Sequence, residues 1–236
     1  MFKIAVNAGH YLGTPGKRCL KALDPNETRE WVLNDRIADK VEKLLAANYT
    51  GYQLIRVDDT TGKKDISLTA RTNAANNFGA NVYIGLHHDA GIKGGKGGGI
   101  TAYTYTQVSE ETKAWQKALY DSLIAETGLK GNRSTPLATS NLHECRETKM
   151  PAVLLELGYM DSATDVPIIL SEAYADQCAR AIVKVLAEKG NLVKKAPQTT
   201  DATRIWRVQS GAFREWSNAV ELQKKLKAAG FDAIIV

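Results

Sequence analysis

The sequence predicts an α/β fold: a mostly parallel, twisted sheet flanked by helices, plus a small C-terminal β-α-β unit. Three observations carry this. Strand-length apolar runs alternate with stretches of helical apolar spacing through residues 2–189, the order that builds βαβ units. The run Ala152-Val153-Leu154-Leu155 is apolar without alternation, as strands buried on both faces are. Periodicity then stops in a polar stretch at 191–203 and restarts at 204. The expected division is therefore a domain at 1–190, a linker at 191–203 and a short unit at 204–236.

In order, residues 2–8 read as the first strand, followed by a tight turn at Gly9-His10 where glycine permits unusual backbone geometry. A loop with two prolines leads to a helix from Glu27 or Thr28 to Ala47, with Val32 or Leu33, Ile37, Val41, Leu44 and Leu45 at helical spacing. Gly51–Val57 is a second strand. Asp65 or Ser67 caps a helix to Phe78, with Leu68 and Ala75 inward, and residues 82–87 form a third strand. Six glycines within 91–99 predict a mobile rim loop. Its two lysines lack the Gly-x-x-x-x-Gly-Lys-Ser/Thr order of a phosphate loop. Ile100–Tyr105 alternates as a strand, and Ser109 caps a helix through Thr127. Residues 128–150 lack periodicity and read as a polar, substrate-facing loop. A buried strand then ends at Glu156, short helices follow Asp161 and Ser162, and a long helix spans Glu172–Lys189. The last unit reads as strand Ile205–Gln209, helix Trp216–Ala229 and strand Phe231–Val236, too small to bury a core alone.

Composition narrows the function. The 236 residues carry a net charge of +5. Residues 194–236 hold eight basic and four acidic side chains, so most of the excess lies there. Such a tail suits an anionic polymer, a cell wall or a nucleic acid. No window approaches a membrane span, so membrane insertion is not expected. The three cysteines, Cys19, Cys145 and Cys178, have no Cys-x-x-Cys spacing. They read as reduced thiols, with Cys145 either reactive or simply semi-buried. The first strand begins at once, with no basic and apolar export signal before it. The expectation is synthesis in the cytoplasm and action on its target after release.

The chemistry gathers at strand ends, where open α/β sheets place their reactive groups. Glu156 closes an apolar run, His87-His88-Asp89 closes another, and His10 follows the first strand. A charged carboxylate is costly to bury alone, so Glu156 needs an ion pair, a wet cleft or a metal beside it. Catalytic zinc takes three protein ligands and leaves one position open. His10, Glu30 and His87 would make such a set, leaving Glu156 as the general base. Glu30 lies in the first turn of its helix, where a carboxylate also offsets the dipole. A single histidine is more often structural than a ligand. His88 is ambiguous beside His87, since alternate residues face opposite ways. His143 is either a substrate contact or a surface residue.

Several motifs make the reading specific. They are Gly9-His10, Glu30 followed by Leu33-Asn34 and Ile37-Ala38, Arg71 with Ala75-Asn76, Gly85-Leu86-His87-His88-Asp89-Ala90, and Arg146–Glu156. Together they resemble the zinc-dependent N-acetylmuramoyl-L-alanine amidase family of the cell-wall-hydrolase type, over about residues 2–190. The resemblance implies Zn2+ held by His10, Glu30 and His87, Glu156 as catalytic base, and hydrolysis of the amide between N-acetylmuramoyl and L-alanine in bacterial peptidoglycan. His88 and Asp89 depart from the family's Ala and Asn. Trp206–Phe213 and Ala228–Ala233 resemble the first half of a SPOR peptidoglycan-binding repeat, which implies wall binding and not nucleic acid. One half has an open apolar face, so a homodimer through 204–236 is expected. The setting implied is a phage or prophage endolysin, or an autolysin. The rival readings are a zinc peptidase cutting the stem peptide and a non-catalytic wall-binding protein.

Overall fold

Strand β1 (Phe2–Ala8) lies inside the sheet, and its apolar Ile4, Ala5 and Val6 lose nearly all solvent contact on both faces. Helix α1 (Glu30–Asn48) follows the long loop, and β2 (Tyr49–Thr50) and β3 (Tyr52–Arg56) come next. Helix α2 (Leu68–Phe78) starts where the Ser67 side chain accepts the Ala70 N–H and ends at left-handed Gly79. The chain continues through β4 (Val82–Asp89), β5 (Ile100–Thr104), α3 (Glu110–Thr127), β6 (Leu137–Thr139) and α4 (His143–Arg146). It closes with β7 (Ala152–Tyr159), α5 (Val166–Ile169), α6 (Glu172–Lys189), β8 (Val193–Lys194) and α7 (Trp216–Ala228). This computed structural model describes residues 1–196, 210–231 and 233–235. They fall into two units, Met1–Lys195 and Ala196–Val236.

The first unit is built on a six-stranded sheet of order β3-β1-β4-β7-β5-β6. Its pairs are parallel except β5 with β7, which run antiparallel. Strand alternation sorts side chains between two layers. Ile4, Val6, Val82, Ile84, Leu86, Val153, Leu155 and Leu157 join the large core shared with α1, α3 and α6. Ala5, Tyr83 and Ala152 turn the other way, into a smaller cluster with Ala75 of α2.

Several expectations need correction. The stretch 128–150 contains β6 and the one-turn α4; both are too short to show a period. Leu68 is half exposed, in a first turn of α2 that is exposed throughout residues 68–70, while Ala75 is fully buried. The glycine loop 91–99 is tied down, not loose. Asp161 accepts the Gly91 and Lys93 N–H groups, Asn132 that of Gly98, and Asp165 those of Gly99 and Tyr159. The expected linker starts later than 191, since Val193–Lys194 pairs antiparallel with Tyr49–Thr50.

In the second unit, α7 forms where expected, with Ala219, Leu222 and Leu226 partly buried along one side. The expected strand Ile205–Gln209 lies outside the described residues. Phe231 and residues 233–235 are not in a strand, so the expected closing strand is absent among the described residues.

Candidate metal centre

The carboxyl edge of β1 and β4 meets the amino end of α1. Glu30, fully buried, opens α1 without a side-chain cap on the helix. One of its oxygens, Oε1, lies 3.3 Å from His10 Nε2 and 3.1 Å from His87 Nδ1. Ligand atoms of His10, Glu30 and His87 all lie within 4.8 Å of one another. Burial alone would raise the Glu30 carboxyl, but hydrogen bonds from His10 and His87 hold it well below the ordinary range. His87 answers in kind. Burial disfavours its charge, yet Glu144 and Glu30 together push it up to about 10. Two imidazoles around one buried carboxylate oxygen therefore call for positive charge between them, from protons or from a cation. His, Glu and His at these separations fit a metal ion that prefers nitrogen and oxygen donors.

The supports of this cluster explain the motif residues around it. His10 sits in the left-handed region with φ of 68°, so the strained residue of the turn is His10 and not Gly9. Gly9 is needed for a different reason: a Cβ there would lie 2.1 Å from the His87 ring. Arg71, almost fully buried on α2, donates to the carbonyls of Ala8 and His10 at 2.8 Å each. Asn34 on α1 donates to the Gly9 carbonyl at 3.2 Å. Its oxygen faces His88 Nδ1 at 2.8 Å, so His88 serves the α1 side of β4. Burial lowers the His88 imidazole to about 3, which keeps it neutral. Asn76 of α2 clamps the segment before β7 through Glu147 O and Lys149 N.

Glu156 lies opposite His87 in the parallel β4–β7 register, and paired residues of neighbouring strands share a face. Burial pushes its carboxyl up to about 8, with His87 and Lys17 lowering it and Glu30 and Asp89 raising it. Its Oε2 has no hydrogen-bond partner among the described residues. A carboxyl so placed can exchange a proton near neutral pH. His143 does not join the cluster; its Nε2 lies 3.4 Å from Thr72 Oγ1. Cys145 is buried, and burial pushes its thiol up to about 12. Sequence reasoning missed Glu144, a buried carboxylate with Oε2 3.7 Å from His87 Nε2. It stands on one helical turn in a stretch without periodicity, which carries no local signal.

Three possible metal ligands at the carboxyl edge of an open α/β sheet, with a carboxylate alongside whose Oε2 is unpaired among the described residues, are an arrangement that fits a metal-dependent hydrolase. The comparisons name the family. Residues 4–188 match the family described as N-acetylmuramoyl-L-alanine amidase, and residues 177–236 match the SPOR domain. The chain belongs to the N-acetylmuramoyl-L-alanine amidase family, whose members hydrolyse bacterial peptidoglycan. It is 31% identical over 241 residues to the sporulation-specific N-acetylmuramoyl-L-alanine amidase of Bacillus subtilis, covering 100% of this chain and 85% of that one. It is 28% identical over 192 residues to the endolysin of Bacillus phage SPP1, covering 81% and 67%. The catalytic domain of CwlV, an N-acetylmuramoyl-L-alanine amidase from Bacillus (Paenibacillus) polymyxa var. colistinus, superposes with a TM-score of 0.70 at 25% identity. That superposition covers 81% of this chain and 99% of the other. The SPOR match begins inside α6, a helix of the first unit.

Proposed function

We propose that this peptidoglycan amidase is a zinc enzyme in which His10, Glu30 and His87 hold the metal and Glu156 is the catalytic base. The observation that carries the reading is the convergence of the His10 and His87 imidazoles on Glu30 Oε1, beside Glu156, whose Oε2 has no partner among the described residues. When bound there, zinc polarises a carbonyl and lowers the pKa of water. Glu156 accepts the proton of the attacking water and passes it to the leaving L-alanine nitrogen. A bound cation also favours the ionised form of Glu156, the form a base requires. Glu30, held ionised, supplies the negative charge that retains a divalent ion. Arg71 and Asn34 fix the His10 turn, so its imidazole is oriented in advance.

The tail extends the same reading. Residues 1–190 are the catalytic domain, 191–203 connect it to the tail, and 204–236 bind the wall as a SPOR-like unit. Phe213, Trp216, Phe231 and Ile234 are exposed on the second unit. A second copy supplying the other half would cover such a surface as a two-fold dimer. The phage endolysin relative supports action on the wall after release from the producing cell, as endolysin or autolysin.

Zinc content and digest products test the function together. Full-length protein should contain one zinc per chain and should release free L-alanine amino termini from purified wall while leaving glycan strands intact. New termini within the stem peptide would show a peptidase instead.

A further inference from the structure

Strand β4 presents Tyr83, Gly85 and His87 on its face toward α2 and α4. His87 turns Nδ1 to Glu30 at 3.1 Å. That leaves Nε2 on the far side of the ring, 3.7 Å from Glu144 Oε2. Both atoms are buried, and neither has a hydrogen-bond partner among the described residues. They face each other.

The other oxygen of Glu144 is held. Arg71 Nη1 donates to Asn7 Oδ1 at 2.6 Å, and a guanidinium can only donate. The Asn7 amide is therefore oriented by chemistry, and its Nδ2 donates to Glu144 Oε1 at 2.5 Å. A chain of polar contacts thus runs from Arg71 through Asn7 and Glu144 to the ring of His87. Gly85 adds an independent sign. A Cβ there would lie 2.6 Å from Glu144 Oε2. Glycine weakens a strand interior and often marks the close approach of another group. Here the missing side chain is the space that the carboxylate occupies.

We propose that Glu144 is a positioning residue for the metal centre: its Oε2 accepts the Nε2–H of His87 and fixes that ring with Nδ1 toward the cation. Metal-bound histidines commonly donate their second N–H to a carboxylate or carbonyl, which sets tautomer and orientation. A separation of 3.7 Å exceeds a hydrogen bond, and small side-chain rotations close it. The proposal rests on the metal-centre reading above. It gives Glu144 a task beyond accepting the Asn7 amide.

The test is zinc affinity of the full chain, measured by competition with a chromogenic chelator. Urea denaturation of the metal-free proteins serves as the folding control. Glu144→Ala should bind zinc about 10- to 100-fold more weakly. Glu144→Gln should bind no better than Glu144→Ala. Its oxygen stays with Asn7, and its amide nitrogen then sets a donor against the Nε2–H. Gly85→Ala, which displaces the carboxylate without removing it, should also weaken binding. Gln near the wild-type affinity with Ala weak would mean that Glu144 only fills space, and would overturn the proposal. Unchanged affinity in all three variants would overturn it too, leaving the metal centre standing. A wild-type chain that takes up no zinc would overturn both.

Discussion

Glu30 collects two imidazoles on one carboxylate oxygen, and that residue carries the sharpest expectations. Single alanine replacements of His10, Glu30 and His87 should each lose bound zinc and wall hydrolysis, read by elemental analysis alongside a turbidity assay. Full zinc occupancy in His87→Ala would remove that residue from the set. Glu156→Gln keeps size and polarity but cannot accept a proton, so it should retain zinc and fold while losing at least about 10²-fold in rate. The thiols behave differently. Burial pushes Cys19, Cys145 and Cys178 each up to about 12, so all three stay protonated at pH 8 and are poor nucleophiles. Ellman titration should find none in the native chain and three after denaturation. These folded-state values lie above that of a free thiol, so the unfolded state releases protons first. Stability should fall as pH rises above about 8.5. At this scale the gathering of His10, Glu30 and His87, with Glu156 opposite His87, was legible because strand ends and a helix start announce themselves in the pattern. Glu144 and Gly85 were not, since their meeting is a tertiary event between an aperiodic stretch and a strand.

Among the elements, β3 is held to α1 by charge. Arg56, nearly buried, reaches Asp35 at 2.6 Å, Asp39 at 3.0 Å and Asp58 at 2.7 Å. Asp58 in turn accepts the Ala8 N–H at 3.1 Å, two residues before His10. Removing Arg56 strands Asp58, whose side chain is fully buried. Arg56→Ala should therefore cost about 3–5 kcal/mol in urea denaturation, the cost of leaving a buried charge unpaired. A loss under about 1 kcal/mol would place the network in the class of surface pairs. The long elements were readable from period and, for two helices, from caps: of Asp65 and Ser67 it is Ser67 that caps its helix, and Ser109 caps the next; the Ser171 cap of α6 was not read from the sequence. The glycine loop was misread because its restraints come from Asp161, Asp165 and Asn132, distant in sequence. β6 and α4 were missed because three or four residues cannot display a period.

For the whole molecule, the expected parallel α/β architecture follows from the alternation of runs, and the family from the motifs around Gly9-His10, Glu30, Arg71, Gly85–Ala90 and Arg146–Glu156. The antiparallel β5–β7 pair does not, because pairing direction depends on a connection path that local pattern leaves open. The tail prediction is that the full chain sediments as a dimer at micromolar concentration, while a version ending at Lys195 is monomeric and still cleaves soluble wall fragments. A truncated dimer, or a full-length monomer, rules out pairing through 204–236. The central claim is that a metal at His10, Glu30 and His87 works with Glu156 to cut the N-acetylmuramoyl-L-alanine amide. The most direct test is mass spectrometry of purified peptidoglycan digested by wild-type protein, by chelator-treated protein with and without zinc restored, and by Glu156→Gln. Intact stem peptides with free L-alanine amino termini should appear only with wild-type and zinc-restored protein. The same products from the chelated enzyme or from Glu156→Gln would contradict the account.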